Sequence, residues 1–352
     1  MGEPMAQSAA SAPAPSPFEG PANGRLPTRA PPRHTYAAID LGTNNCRLLV
    51  ARPTDGGFTV VDAFSRIVRL GEGLAQSGRL SPEAMDRAVE ALAVCADKLK
   101  RRRVSLARSV ATEACRRAAN GREFAERVRR ETGVALEIIA PQEEARLAVL
   151  GCHKLLEPGD GPALIFDIGG GSTELVLVEP GEADVPRIRA WWSAPWGVVS
   201  LTESEGRAAI EGPDRVAAYG RMRERTRHAF SRFAELLPRD AENIRLLGTS
   251  GTVTTLASVH LALPSYDRRA VDGLHVPIDA MRAISTMIAE MDLAERSALP
   301  CIGAERADLV VAGCAILEAI LDIWPADQLG IADRGIREGI LRSLMARDGY
   351  VL

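Results

Sequence analysis

Two short loops carry the residues whose types and spacing suit chemistry on an anion. The first reads Asp40-Leu-Gly-Thr-Asn-Asn45, and the second reads Asp167-Ile-Gly-Gly-Gly-Ser-Thr-Glu174. Each follows a short apolar run and precedes another, which is typical of a turn between two β-strands. Glycine permits backbone conformations that let successive N–H groups converge on one anion. The loops therefore indicate a phosphate-binding site, and the candidate contacts are Gly42, Thr43, Asn44, Gly169, Gly170, Gly171 and Ser172.

Three carboxylates accompany these loops: Asp40, Asp167 and Glu174. A carboxylate gains nothing from direct contact with a phosphate, because both groups are anionic. It could hold a hard divalent cation, usually through water, and the cation would then bridge to phosphate oxygens. The alternative is a pair of ordinary turns rich in glycine, asparagine and aspartate. A matching loop in each half of the chain argues against that alternative.

A third turn, Gly248-Thr-Ser-Gly-Thr252, joins a predicted strand to a predicted helix. Free N–H groups at a helix N-terminus attract anions, so Gly251 is a further candidate phosphate contact. The alternative for this turn is a plain helix cap.

Two pairs of adjacent residues leave the choice of the functional member open. Glu143 and Glu144 open a predicted helix, and one of them could act as a general base that takes a proton from water. Adjacent helical residues point about 100° apart, so only one can face a given cleft. Acidic residues also favour a first helical turn for dipole reasons alone. Similarly, Arg116 or Arg117 could reach a phosphate with its planar fork, or both could lie on a solvated basic face.

The elements that must position these residues alternate between strands and helices in two cycles. The first cycle predicts strands at 36–39, 46–51, 58–63 and 136–139, and helices from Ser81, at 121–132 and at 142–156. The second predicts strands at 163–168, 174–179, 187–192 and 244–247, and helices at 214–237, 253–261, 279–291, 305–323 and 336–345. Each cycle opens with three adjacent strands and an aspartate at the end of the first. This repetition predicts an α/β fold of two related domains that face each other across a cleft.

Composition excludes several classes of protein. Of the 352 residues, 46% are hydrophobic and 25% are charged, which is ordinary for a soluble globular chain. No apolar stretch approaches the roughly 18 residues of a membrane helix, and the net charge of -3 argues against a general nucleic-acid binder. The six cysteines form no CxxC pair and indicate a reduced, cytoplasmic protein. Residues 1–35 hold eight of the 22 prolines, which predicts a disordered tail.

Taken together in this order, the motifs resemble those of the exopolyphosphatase/guanosine pentaphosphatase (Ppx/GppA) phosphatase family. The resemblance runs from Tyr36 to about Leu344 and rests on segments 38–44, 111–120, 137–146, 165–175, 248–252 and 333–339. It implies the fold of the actin-like ATPase superfamily, with two ribonuclease H-like domains around a cleft. The implied domains are residues 36–157, with the first loop and the catalytic glutamate, and residues 158–346, with the second loop. The last helix of the second domain is a candidate to pack back on the first domain.

The resemblance also implies an activity and the residues that perform it. It assigns the catalytic role to Glu144 and a phosphate contact to Arg116, the positions that match the family's motifs. The implied reaction is Mg²⁺-dependent hydrolysis of the terminal phosphate of inorganic polyphosphate, or alternatively of guanosine pentaphosphate (pppGpp). No nucleic-acid or membrane partner is expected, and a homodimer is compatible with the family.

Two functions of other classes remain as alternatives. One is an ATP-binding kinase or ATPase of the same superfamily, and the other is a non-catalytic phosphate sensor or scaffold. The acidic residues argue against the sensor, because binding an anion gains nothing from buried acids.

The expected acid–base behaviour of Glu144 follows from its place at a helix start. The helix dipole lowers the pKa of a carboxylate there, whereas a nearby anionic phosphate raises it. Because the two effects partly cancel, the sequence predicts a pKa near the normal value and a carboxylate that is ionised at neutral pH.

Overall fold

The computed structural model describes residues 35–159, 161–181, 185–238 and 245–351. The predicted disordered tail therefore lies outside the described residues, except for Thr35. For Thr35 the prediction is wrong: its side chain is buried, and its carbonyl accepts a hydrogen bond from the Ser105 N–H at 2.9 Å. The folded part thus begins at least one residue before the predicted boundary. Ile244, the start of one predicted strand, also lies outside the described residues.

The first sheet has five strands: β1 (Tyr36–Leu41), β2 (Asn45–Thr54), β3 (Gly57–Ile67), β4 (Leu106–Ala111) and β5 (Leu136–Ile138). Their order is β3-β2-β1-β4-β5, with the first three antiparallel and β4 and β5 parallel to β1. The accompanying helices are α1 (Leu74–Ser77), α2 (Pro82–Arg101), α3 (Glu113–Arg117), α4 (Gly121–Thr132) and α5 (Pro141–Cys152). We call this sheet and its five helices the first lobe.

The second sheet has six strands: β6 (Ala163–Ile168), β7 (Thr173–Glu179), β8 (Arg187–Ala194), β9 (Arg245–Thr249), β10 (His275–Pro277) and β11 (Gln328–Ala332). Their order is β10-β11-β9-β6-β7-β8. The helices after β8 are α6 (Val198–Glu205), α7 (Arg207–Glu211), α8 (Arg215–Ala234), α9 (Gly251–His260), α10 (Arg268–Val271), α11 (Ile278–Glu290), α12 (Leu293–Ala298), α13 (Val310–Ile323) and α14 (Ile336–Arg347). We call this sheet with α6–α13 the second lobe.

Both sheets repeat one pattern of strand pairing. In each, three consecutive strands are antiparallel, and the first of them also pairs in parallel with a strand that follows a helical segment. The loop between β1 and β2 and the loop between β6 and β7 therefore occupy equivalent positions. This repetition confirms the predicted α/β architecture of two related halves.

The structure differs from the predicted elements mainly in the second lobe. The helix predicted from residue 305 begins at Val310, because residues 304–308 form turns in which Asp308 pairs with Arg69 of the first lobe at 3.1 Å. The strands β10 and β11 and the short helices α1, α6, α7, α10 and α12 were not predicted. Within the described residues, no helix is both long and apolar enough to cross a membrane.

Helix α5 lies between the two sheets and carries the predicted general base in its first turn. One of its faces packs with α14 and the first sheet through Leu147 and Ala148. The other packs against the second sheet through Ala145, Val149 and Cys152. Contacts from both lobes therefore fix the position of this helix. The domain boundary between residues 157 and 158 stays a prediction.

Glycines allow α5 and α14 to cross at very short range. A Cβ atom on Gly151 would lie 1.9 Å from the Gly335 carbonyl oxygen, and one on Gly339 would lie 2.0 Å from the Leu147 carbonyl oxygen. No side chain fits at either distance, so the two helix backbones touch.

We therefore expect Gly339→Ala to lower the free energy of unfolding by about 1–3 kcal/mol, because the added methyl group forces the helices apart. The matched control is Gly220→Ala in α8, where a Cβ would meet nothing within 4 Å. That substitution should stabilise the protein by about 0.5–1 kcal/mol through helix propensity. Urea denaturation of both variants measures the two effects. An equal rise in the free energy of unfolding of both variants would show that the contact between α5 and α14 has room for a side chain.

Candidate active site

Two loops of the same construction connect equivalent strands in the two lobes. In the first, the Gly42 N–H donates to the Asn45 carbonyl at 2.9 Å. In the second, the Gly169 N–H donates to the Ser172 carbonyl, also at 2.9 Å. The chain thus forms the same tight turn twice, once at the end of β1 and once at the end of β6.

The two loops lie against each other across the cleft. A Cβ atom on Gly170 would lie 2.9 Å from Thr43 Cβ, and one on Gly171 would lie 2.7 Å from Thr43 Oγ1. Both distances are shorter than real Cβ contacts, so glycine is what lets the second loop approach the first this closely. The glycines therefore have a role in addition to backbone freedom, since they join two separate loops into one site.

A cavity of about 140 Å³ lies between the loops. The structure brings every predicted site residue except Arg116 to its wall, namely Asp40, Gly42, Thr43, Asn44, Glu144, Asp167, Gly169, Gly170, Gly171, Ser172, Glu174 and Gly251. Arg116 lies directly behind this wall, where it pairs with two of the lining side chains. The functional role of each residue stays a prediction, but their assembly around one cavity is a property of the fold.

The structure separates the two adjacent glutamates. Glu144 is 6% exposed and lines the cavity. Glu143 is half-buried and lies outside it, where its carboxylate accepts hydrogen bonds from Arg108 and Arg146, each at 2.8 Å. The geometry therefore favours Glu144 as the member of the pair that meets a substrate.

Arg116 is held by three acceptors around its guanidinium group. Its Nη1 atom donates to Glu144 Oε2 at 3.0 Å and to the Ile139 carbonyl at 2.8 Å, and its Nη2 atom donates to Glu113 Oε2 at 2.7 Å. Arg117 does not line the cavity between the loops. The fork of Arg116 is thus fixed beside the site and can neutralise charge there.

The pKa of Glu144 is raised well above the ordinary value, which corrects the expected normal pKa. Burial of the carboxyl group is the main cause, and repulsion from Glu174 adds to it. The ion pair with Arg116 acts in the opposite direction but does not offset these effects. The expectation considered the helix dipole and the substrate, whereas the fold adds burial and a neighbouring carboxylate.

The other carboxylates come together from three strands. Asp167 on β6 lies directly opposite Glu174 on β7. Glu174 Oε1 accepts hydrogen bonds from Ser172 Oγ at 2.8 Å and from Ser193 Oγ at 2.9 Å. Asp40 on β1 has no hydrogen-bond partner for its buried Oδ1 atom among the described residues. The site therefore concentrates negative charge that the described side chains neutralise only in part.

Burial, more than the neighbouring charges, raises the pKa values of these groups. Burial, followed by repulsion from Glu174, raises the pKa of Asp167 to about 8. Burial also raises the pKa of Asp40, although Arg47 and Arg337 act in the opposite direction. Asp40 and Asp167 keep part of their surface open to the cleft. It is therefore enclosure by surrounding protein, rather than complete removal from solvent, that disfavours their charged forms.

These groups fit a divalent cation that takes part of its shell from other molecules. Among the described residues, no three His, Cys, Asp or Glu side chains are placed to hold a metal ion by themselves. Mg²⁺ commonly uses one or two carboxylates and keeps waters and substrate phosphates as its other ligands. The unpartnered Oδ1 of Asp40 suits that arrangement. Metal binding by Asp40, Asp167 and Glu174 stays a prediction.

The third turn serves at least as a helix cap. Ser250 precedes α9 and its side chain accepts a hydrogen bond from the Thr252 N–H at 3.2 Å. Gly251 lines the cavity between the loops. The cap and the anion contact are therefore compatible, since Ser250 uses one of the N–H groups and leaves the others for a ligand.

Sequence reasoning missed three charged residues at this cavity: Arg47, Glu113 and Arg306. Arg47 lies directly opposite Asp40 in the pairing of β1 with β2. That position follows from the tight turn, so the spacing between the two residues could have indicated it. Arg306 enters from the turns before α13, and nothing in the local sequence indicates that placement.

Comparisons with known proteins agree with this fold. The fold matches the Aquifex aeolicus Ppx/GppA family member over 90% of this chain and 99% of that one, with a TM-score of 0.74 and 31% identity. Exopolyphosphatase 2 of Mycobacterium tuberculosis is 32% identical over 321 residues, which cover 88% of this chain and 98% of that protein. The guanosine-5'-triphosphate,3'-diphosphate pyrophosphatase of Aeromonas hydrophila is 30% identical over 324 residues, which cover 89% of this chain and 60% of that protein.

The fold defines a protein with the two-domain actin-like ATPase fold, in which two related lobes enclose a cleft. Residues 49–348 match the Ppx/GppA phosphatase family, and the chain belongs to that family. The resemblance carried by the motifs is thereby confirmed.

Proposed function

We propose that this protein is a phosphoric anhydride hydrolase that releases the terminal phosphate of inorganic polyphosphate, with pppGpp as the alternative substrate. The observation that carries the proposal is the place of Glu144, a buried carboxylate on the wall of the cavity that both glycine loops line. Backbone donors from two loops suit a phosphate, and a carboxylate beside them suits activation of water. Relatives named for each activity support both substrates.

Positioning and neutralisation of charge would provide most of the acceleration, as is usual for phosphoryl transfer. The two loops hold the terminal phosphate from opposite sides, with the hydroxyl of Thr43 and the amide of Asn44 as further donors. Arg116, fixed by Glu113 and Glu144, offsets negative charge at the edge of the site.

Glu144 accepts a proton from the water that attacks the terminal phosphorus atom. Its Oε2 atom is engaged by Arg116 at 3.0 Å, and its Oε1 atom forms no hydrogen bond among the described residues. We assign proton acceptance to Oε1 for that reason. The burial that raises the pKa of Glu144 also makes its ionised form a stronger base.

The proposed cofactor is Mg²⁺, held by Asp40 and Asp167 with Glu174 beside them. A bound Mg²⁺ ion supplies positive charge to the phosphate oxygens. The two aspartates fit that role because Asp40 Oδ1 has no hydrogen-bond partner among the described residues, and because a cation would offset the burial that raises the pKa of both groups.

Phosphate release from long-chain polyphosphate and from pppGpp, measured side by side with Mg²⁺, tests the proposal. We expect release from at least one of them, with a kcat/KM well above that for ATP as a control. Tight binding of ATP with no hydrolysis of polyphosphate or pppGpp would instead indicate a kinase or ATPase. Binding of polyphosphate without release of phosphate would indicate a sensor.

We further propose a cytoplasmic location. All six cysteines are free thiols, as expected for a reducing compartment. Homodimer formation stays a prediction.

A further inference from the structure

A short segment between β3 and α1, residues 68–73, holds the first phosphate loop from behind; we call it the bracing segment. The N–H groups of Val68 and Arg69 donate to the Asn44 carbonyl at 2.8 and 3.0 Å. The Gly71 N–H donates to the Thr43 carbonyl at 2.9 Å. The backbone of the two central loop residues is thus bound to this segment, and a displacement of the segment would displace the loop.

The contact between the segment and the loop is close and locally strained. A Cβ atom on Gly71 would lie 2.3 Å from Thr43 Cγ2, so any other residue there would displace Thr43 or the segment. Arg69 has a φ angle of 47°, in the left-handed region that residues other than glycine rarely adopt. Such a conformation costs of order 1 kcal/mol and persists only where surrounding contacts enforce it.

Two carboxylates of the second lobe bind the bracing segment across the cleft. Asp308 Oδ2 lies 3.1 Å from Nη1 of Arg69, and Arg207 of its own lobe supports it at 3.2 Å. Glu203 Oε1 accepts a hydrogen bond from the Gly73 N–H at 2.9 Å. The segment is therefore held at both ends, by one ion pair and by one charge-assisted hydrogen bond.

The surroundings strengthen these contacts. Asp308 is 8% exposed, and both carboxylates line a separate small cavity of about 100 Å³ together with Asn44 and Arg69. An ion pair in such a partly enclosed place is screened much less by solvent and salt than one on an open surface.

We propose that Asp308 and Glu203 are positioning residues, which hold the bracing segment and through it Thr43 and Asn44 in register with the glycine loop of the second lobe. They touch no reacting atom. Their effect is to keep the two halves of the phosphate site together before the substrate arrives.

This role predicts an effect on substrate affinity rather than on the chemical step. If the first loop occupies its position against the second loop for only a fraction of the time, the apparent affinity for the substrate is the intrinsic affinity multiplied by that fraction. A saturating substrate binds both loops and holds them in position, so kcat is preserved. Asp308→Asn should therefore raise KM about tenfold and leave kcat within about twofold.

The matched control is Asp322→Asn. Asp322 also pairs with two arginines, Arg223 at 2.8 Å and Arg282 at 3.1 Å, but all three residues belong to the second lobe. Its substitution removes a comparable network and leaves the cleft untouched, so KM should stay at the wild-type value.

Hydrogen exchange of the substrate-free protein tests the brace directly. In Asp308→Asn, and in Glu203→Ala as a second variant, the amides of Val68, Arg69 and Gly71 should exchange about tenfold faster than in wild type, and those of the control should not. In the double variant Arg69→Gln with Asp308→Asn, KM should be no higher than in Asp308→Asn alone, because both substitutions remove one interaction.

Unchanged exchange at these amides in both variants overturns the proposal, and so does an unchanged KM in a folded Asp308→Asn protein. The kinetic measurement rests on the proposed function, whereas the exchange measurement does not. If the wild type hydrolyses neither polyphosphate nor pppGpp, the proposed function fails and the exchange rates alone decide whether the brace exists.

Discussion

Glu144→Gln should lower kcat for phosphate release by about 10²- to 10⁴-fold, the usual loss when a general base is removed. Glutamine keeps the size of the side chain and can still accept the hydrogen bond from Arg116, but it cannot take a proton from water. KM should stay the same or fall, because one negative charge leaves a site that binds an anion. Steady-state kinetics with the preferred substrate measure both constants.

Glu143→Gln is the matched control, one residue away on the same helix. Glu143 lies outside the cavity, and its half-buried carboxylate pairs with Arg108 and Arg146. Removing its charge should leave kcat nearly unchanged and cost at most about 1 kcal/mol of stability. A large loss of kcat in Glu143→Gln but not in Glu144→Gln would show that the assignment is wrong by one residue. If neither substitution matters, the base lies elsewhere.

Removal of divalent cations should abolish phosphate release, and Mg²⁺ should restore it. Three carboxylates with raised pKa values, Asp40, Asp167 and Glu174, lie at the wall of a cavity that must also accept an anion. Without a cation, these groups would repel the phosphate or take up protons. Activity measured in excess EDTA, followed by titration with Mg²⁺, checks this expectation.

The Asp40→Asn variant tests whether this carboxylate takes part in Mg²⁺ binding. We expect the Mg²⁺ concentration for half-maximal activity to rise about 10- to 100-fold, as for the loss of a group that orders a metal-bound water. Full activity of the wild type in excess chelator would contradict the metal role. If the Mg²⁺ concentration for half-maximal activity is unchanged in Asp40→Asn, Asp40 takes no part in metal binding.

Local patterns predicted the elements that build the site, because their signals lie within a few residues. α2 begins at Pro82 after the Ser81 cap, and α4 ends at Thr132, before Gly133, whose φ is 77°. By contrast, β10 and β11 were missed, because β10 contains Pro277 and β11 contains Gly330, and both residue types argue against a strand in a local pattern. The turns before α13 contain Asp308, whose ion-pair partner Arg69 is far away in the sequence, so no local pattern indicates that contact.

The sequence by itself determined the fold class, the two glycine loops and the residue types at the site. Glycine freedom, turn geometry and strand alternation depend on near neighbours, so they can be read along the chain. The tertiary structure alone decided that Gly170 and Gly171 approach Thr43. The tertiary structure places Glu144 rather than Glu143 at the cavity, as the resemblance implied where the residue pattern left the choice open. It also raised the pKa of Glu144, because burial and the charge of Glu174 arise only when the two lobes close around α5.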